Sequence, residues 1–147
     1  MQRRSLLAGV AAALGGVFAV KASAQAAPSL PDKSKVVYHL CDLDKVIFVL
    51  GNIKNHFDGV GGPDKVTIAL VIHGPALKAF HAASANPDVK GKVAGFSQSV
   101  QFAACGNTMN SQNVTLKDLL PGFLAAEQGG VVRIAELQSQ GYVYLKP

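Results

Sequence analysis

The sequence predicts an α/β fold, a three-layer α/β/α domain with a mostly parallel sheet. Three observations carry the prediction. The strand candidates are near-continuous apolar runs, as suits strands covered on both faces. Strand and helix candidates alternate along the chain. The third strand candidate runs into a cysteine and a glycine turn that opens a helix, the junction where open α/β sheets place their chemistry.

The chain has 147 residues, 49% hydrophobic and 16% charged, which suits one domain with a substantial core and excludes a disordered chain. The N-terminus stands apart. Arg3-Arg4 precede an Ala/Gly-rich apolar run from Leu6 to Val20, and Ala22-Ser23-Ala24 supplies a small-x-small cleavage pattern. Residues 1–24 are therefore read as a twin-arginine-type signal peptide, cleaved after Ala24 or alternatively Ala26, with a periplasmic destination. The run is short for a bilayer span, and Gly9, Gly15 and Gly16 interrupt it. Residues 25–34, with Pro28 and Pro31, read as a flexible leader, and residues 35–147 as the domain. The formal charge of +5 includes Arg3, Arg4 and Lys21; without these three, 11 basic residues face 9 acidic ones. No basic cluster or basic–aromatic pattern supports nucleic-acid binding.

Residues 35–40 form the first strand, ended by Cys41-Asp42. Asp42 or Asp44 can cap the following helix, in which Leu43, Val46, Ile47, Leu50, Ile53 and Phe57 recur at helical spacing. His56 falls on the polar side and reads as solvated. Gly59 to Asp64 is a turn, and residues 66–72 are the second and most apolar strand. His73-Gly74-Pro75 ends it, with Pro75 suited to the first turn of a helix to about Ala83 that turns Leu77 and Phe80 inward. Asn86-Pro87 is a turn, and residues 89–96 form a short helix weakened by Gly91 and Gly95. Residues 100–104 are the third strand, followed by Cys105 and a polar helical turn over 107–112. Thr115 to Asp118 has capping-box form. Residues 123–126 are a weak fourth strand. Residues 131–140 form a helix with Val131, Ile134, Ala135 and Gln138 on one stripe, closed by Gly141 at its C′ position. Residues 142–145 are the last strand.

In a parallel sheet, residues just after the strands gather on one rim. Here these are Cys41, His73 and Cys105. Cys105 lies at a helix N-terminus, where unpaired N–H groups and a partial positive charge favour a thiolate. A nearby His73 could lower the thiol pKa or move protons; the alternative is a turn residue bonded to backbone. His39 falls inside a strand and reads as buried structure, and His81 as an exposed helix residue. A Cys41–Cys105 disulfide is disfavoured, because strands one removed sit about 9–10 Å apart and a bridge tolerates roughly 7 Å between Cα atoms. No metal site is expected, since one histidine and two cysteines lack the clustered spacing of zinc motifs. No phosphate-binding glycine loop, G-x-S-x-G elbow or paired-carboxylate arrangement is present, and no cofactor is called for.

The runs Val36-Val37-Tyr38-His39-Leu40, Asn52-Ile53-Lys54-Asn55-His56, Val71-Ile72-His73-Gly74-Pro75, Phe102-Ala103-Ala104-Cys105-Gly106-Asn107-Thr108, Leu119-Leu120-Pro121-Gly122 and Gly141 to Pro147 together resemble the DsrE/DsrF-like family. The most specific piece is Ala103 to Thr108. The resemblance implies a parallel five-stranded sheet between helices and a homo-oligomer, often a trimer or hexamer. It also implies sulfur metabolism, in whose relay members a cysteine carries sulfur as a persulfide between partner proteins. Cys105 matches that cysteine, with Gly106, Asn107 and Thr108 as its ligand-binding surround. An export signal and Cys41 depart from the pattern, and Cys41 would permit a thiol pair that resolves a persulfide or sulfenic acid. The leading reading is a periplasmic sulfur carrier or sulfurtransferase-like protein with an unidentified donor or acceptor protein. The alternatives are a non-catalytic module that binds a small ligand or partner, and a thiol redox protein using Cys41 and Cys105.

Overall fold

The computed structural model describes residues 33–147. The signal peptide expected at 1–24 and most of the leader expected at 25–34 lie outside them; Ser34 already belongs to the first strand. Five strands, β1 (Ser34–Leu40), β2 (Val66–Ile72), β3 (Val100–Cys105), β4 (Phe123–Ala126) and β5 (Val143–Leu145), form one sheet in the order β4-β3-β2-β1-β5. All four strand pairs are parallel, so the expected mostly parallel sheet is parallel throughout. Four helices accompany it: α1 (Val46–Val60), α2 (Pro87–Phe96), α3 (Gly106–Ser111) and α4 (Gly130–Ser139).

Side-chain alternation divides the sheet into two unequal faces. Val36, Tyr38, Leu40, Ile68, Leu70, Ile72, Phe102 and Ala104 face the larger core, shared with α1, α2, α3 and the segment after β2. The aromatic rings of Phe102 and Phe123 lie 5.3 Å apart, and that of Phe80 lies 5.4 Å from Phe123, so the segment after β2 is anchored over β3 and β4. Such ring pairs contribute roughly 0.5–1.5 kcal/mol each beyond their buried area. The opposite face holds a smaller core, Val37, Ala69, Val71 and Ala103 against Ile134 and Leu137 of α4. The connections after β1, β2 and β3 all leave toward the first face. The second face is covered at its carboxyl edge by the start of α4, and this leaves room for a site there.

Several elements differ in detail from expectation. The segment after β2 is a 3-10 helix, Gly74–Phe80, and it does turn Leu77 and Phe80 inward. In α1 the buried stripe is Val46, Val49, Leu50, Ile53 and Phe57, while Leu43 and Ile47 are exposed. Leu43 sits in a preceding 3-10 turn, whose tighter winding takes it off the helical stripe. Neither Asp42 nor Asp44 makes the expected capping bond. In α4 the inward positions are Gly130, Ile134 and Leu137, and Val131 is exposed. A glycine carries no hydrophobic signal, so periodicity selected the neighbouring stripe. The Thr115–Asp118 capping box forms as expected, and Gly141 takes its left-handed conformation, φ 87°.

Asn86 caps α2 by accepting hydrogen bonds from the N–H groups of Asp88 (2.8 Å) and Val89 (3.1 Å). Asn86→Ala is expected to cost about 1 kcal/mol of stability, read as a lower urea midpoint with an unchanged slope.

Candidate functional site

The register brings the rim residues onto one face. Leu40 pairs with Ile72, and Ile72 with Ala104, so Cys41, His73 and Cys105 are the next residues of β1, β2 and β3. By alternation these three share the face of Val37, Val71 and Ala103, the α4 face. His39, two residues before Cys41, shares it too.

Cys105 ends β3 and is the N-cap residue of α3. It is 5% exposed, so a reagent reaches it only past its immediate neighbours. Two glycines make the junction possible. A Cβ on Gly106 would lie 2.9 Å from the Glu127 carbonyl oxygen and 3.0 Å from that of Ala126, so only glycine lets α3 start against the end of β4. A Cβ on Gly130 would lie 3.3 Å from Cys105 Cβ and 3.5 Å from His73 Cβ. Its absence lets the N-terminus of α4 descend onto the sheet beside Cys105.

The sulfur therefore meets the starts of two helices. Burial pushes the Cys105 thiol up, but the Thr108 hydroxyl and the N–H groups of Gly130, Thr108 and Asn107 outweigh it and hold the thiol below its ordinary value. These N–H groups act as oriented dipoles, since no full capping bond closes on the side chain. Thr108 is buried, and its Oγ1 accepts the Gly74 N–H at 2.9 Å, which leaves the hydroxyl proton free for the sulfur. Asn107 is exposed and packs its amide against Gly129. We expect Thr108→Val to raise the pH midpoint of Cys105 alkylation and Thr108→Ser to restore it.

The histidines are arranged differently from the sequence reading. His39 is half-buried, and its Nε2 meets the Nε2 of His73 in a short contact. The two rings are nearly parallel (17°) with centroids 4.7 Å apart, and they meet tip to tip. His39 Nδ1 lies 2.7 Å from the Tyr144 hydroxyl. Burial first, then mutual repulsion and Lys146, hold the His39 imidazole below its ordinary value against the pull of Asp42. Burial and Lys146 likewise lower His73, again against Asp42. Cys41 is half-buried beside them, and the ligand atoms of His39, Cys41 and His73 all lie within 4.8 Å of one another. The backbone of His73 also makes the turn bond considered as its alternative role, its N–H donating to Leu40 O at 3.0 Å.

The rim thus carries two neighbouring centres, Cys105 between two helix starts and His73 turned toward His39 and Cys41. Both cysteines are free thiols, and β2 runs between their strands. His56 is not simply solvated: its Nδ1 lies 2.9 Å from the Tyr38 hydroxyl. His81 is likewise half-buried, its Nε2 lying 2.8 Å from Gln112 Oε1. A cleft of about 280 Å3 on the α4 face, lined in part by Leu124, Gly129, Val132 and Arg133, does not include Cys105 in its wall.

Two solved structures share this architecture. The protein of unknown function MTH1491 from Methanobacterium thermoautotrophicum matches with a TM-score of 0.68 and 26% identity, over 78% of this chain and 99% of that one. The ychN protein from E. coli matches with a TM-score of 0.55 and 10% identity, over 78% of this chain and 99% of that one. The fold is DsrE/YchN-like. No protein-family model and no curated protein matches the chain. In this DsrE/YchN-like sheet, sequence reasoning found the three rim residues but not His39, Tyr144 or Gly130. The signal for His39 was parity: residues two apart on one strand share a face, so His39 goes where Cys41 goes.

Proposed function

We propose that the protein is a sulfur carrier or sulfurtransferase-like member of the DsrE/DsrF-like sulfur-relay group, holding sulfane sulfur on Cys105. The observation that carries this reading is the position of Cys105 between the starts of α3 and α4, with its thiol acidity raised. The Cys105 thiolate attacks the outer sulfur of a donor persulfide. A new S–S bond forms on Cys105 as the donor S–S bond breaks, and the donor leaves as a thiolate. The sulfane sulfur is transferred without net oxidation, and the N–H groups of Gly130, Thr108 and Asn107 favour the Cys105 thiolate that makes the attack.

Cys105 is nearly buried and outside the neighbouring cleft. This suits delivery by a partner protein docked over the rim better than a small substrate held in a deep pocket. The donor or acceptor protein acts in the periplasm, after export and removal of residues 1–24. The chain assembles as a homo-oligomer, a trimer or hexamer, and the exposed Leu124, Val131 and Val132 supply apolar surface for it. Intact-mass analysis after exposure to polysulfide tests the reading. The expected result is a gain of one sulfur atom per chain, removed by a reductant and mapped to the peptide carrying Cys105. A gain mapped to Cys41, or none at all, overturns it.

A further inference from the structure

We propose that His39, Cys41 and His73 form a binding site for one borderline-soft late transition-metal ion of the zinc type, with a fourth position left open toward solvent. The inference is independent of sulfur carriage, since Cys105 is not a ligand.

Backbone register builds the site. His39 and Cys41 are two apart at the end of β1 and so point to one face; His73 continues β2 beside Cys41 on that same face. The frame is tied together, with the His73 N–H donating to Leu40 O (3.0 Å) and the Ala76 N–H to Cys41 O (3.1 Å). The three ligand atoms lie within 4.8 Å of one another. Zinc bonds of about 2.0–2.1 Å to nitrogen and 2.3 Å to sulfur, at tetrahedral angles, put nitrogens about 3.3 Å apart and each nitrogen about 3.6 Å from sulfur. Reaching that geometry takes a small spreading of the two imidazoles and an approach of the thiol, both side-chain movements.

The arrangement of the two imidazoles is a second, separate observation. Two Nε2 atoms pointing at each other have one proton to share, and this is the place an ion held by both lone pairs would take. The Tyr144 hydroxyl beside His39 Nδ1 fits the same role. By accepting a hydrogen bond from Nδ1–H it sets the tautomer whose Nε2 lone pair faces the site, as outer partners of metal-bound histidines do. On binding, Cys41 coordinates as the thiolate and its proton goes to solvent. Two imidazoles and a thiolate select zinc-type ions over Mg2+ and Ca2+, which require oxygen ligands.

The test is titration of the chelator-treated full chain with Zn2+ in competition with a chromophoric chelator. The expected result is one Zn2+ per chain, not displaced by excess Mg2+. His73→Gln and Cys41→Ser should each weaken binding at least tenfold, and Tyr144→Phe by about tenfold. His56→Gln, His81→Gln and Cys105→Ser should leave it unchanged. Co2+ in place of Zn2+ should give a thiolate-to-metal charge-transfer band that Cys41→Ser removes, a readout that needs no activity. Tyr144→Phe keeps the ring and tests the site should a ligand variant fail to fold. No retention of Zn2+ against the chelator, binding undiminished in Cys41→Ser and His73→Gln, or equal competition by Mg2+ would each overturn the proposal. Loss of sulfur loading with zinc binding intact would count against the carrier function alone.

Discussion

A Cys105→Ser variant is expected to take up no sulfane sulfur from polysulfide, while Cys41→Ser and the unaltered protein should each take up one atom per chain. The effect is all or none, because a serine hydroxyl is not ionised near neutral pH and forms no stable link to sulfane sulfur. The fold should survive the change. Cys105 is the N-cap residue of α3, and serine is among the preferred residues there. Burying the hydroxyl costs little when the N–H groups of Asn107 and Thr108 stand ready to be accepted. Mass spectrometry reads the loading, and a thermal melt close to that of the unaltered protein shows that lost loading is not lost structure. Cys41 follows β1, with β2 between it and the strand that carries Cys105, so the first transfer is expected to proceed without it.

The second large effect is on stability. Gly106→Val should lower unfolding stability by about 1–3 kcal/mol or more, because its Cβ would press on backbone rather than on a movable side chain. The Glu127 and Ala126 carbonyl oxygens lie 2.9 and 3.0 Å from that Cβ, and Glu127 Cα lies at 3.1 Å. Relief requires β4 to move away from the β3–α3 junction, which also carries Cys105. Alkylation of Cys105 in this variant should lose its low pH midpoint along with the stability. Gly91→Ala is the contrast. Gly91 sits inside α2 with nothing within 4 Å of where a Cβ would stand. Alanine there should stabilise the protein by roughly 0.5–1 kcal/mol. Urea unfolding of both variants checks the pair: equal effects of the two substitutions would contradict this reading of Gly106.

Cys105 and Gly130 show what was legible in the sequence and what was not. The parallel strands were legible because their apolar runs, such as residues 66–72, need cover on both faces. Cys105 was legible because strand, thiol, glycine and helix follow one another directly. The approach of Gly130 was not, because it depends on where α4 lands after β4, and glycine leaves no mark in hydrophobic periodicity. The same gap put Val131 inward in the reading and outward in the structure. His39 was hidden for a different reason. A histidine within an apolar strand reads as core, and only the parallel pairing with β2 brings it to His73. Tyr144 required the sheet order, which lays β5 beside β1 rather than beside β4. Long-range pairing of this kind is set by tertiary packing and leaves no local signal in the chain.

The most direct test of the central claim is the pH dependence of Cys105 alkylation in the folded Cys41→Ser protein, where Cys105 is the only thiol. The account predicts a single titration with its midpoint below the usual thiol value of about 8.5, and labelling much faster than global unfolding. A midpoint at or above that value, or labelling that waits for the protein to unfold, would contradict it and leave Cys105 a buried structural residue.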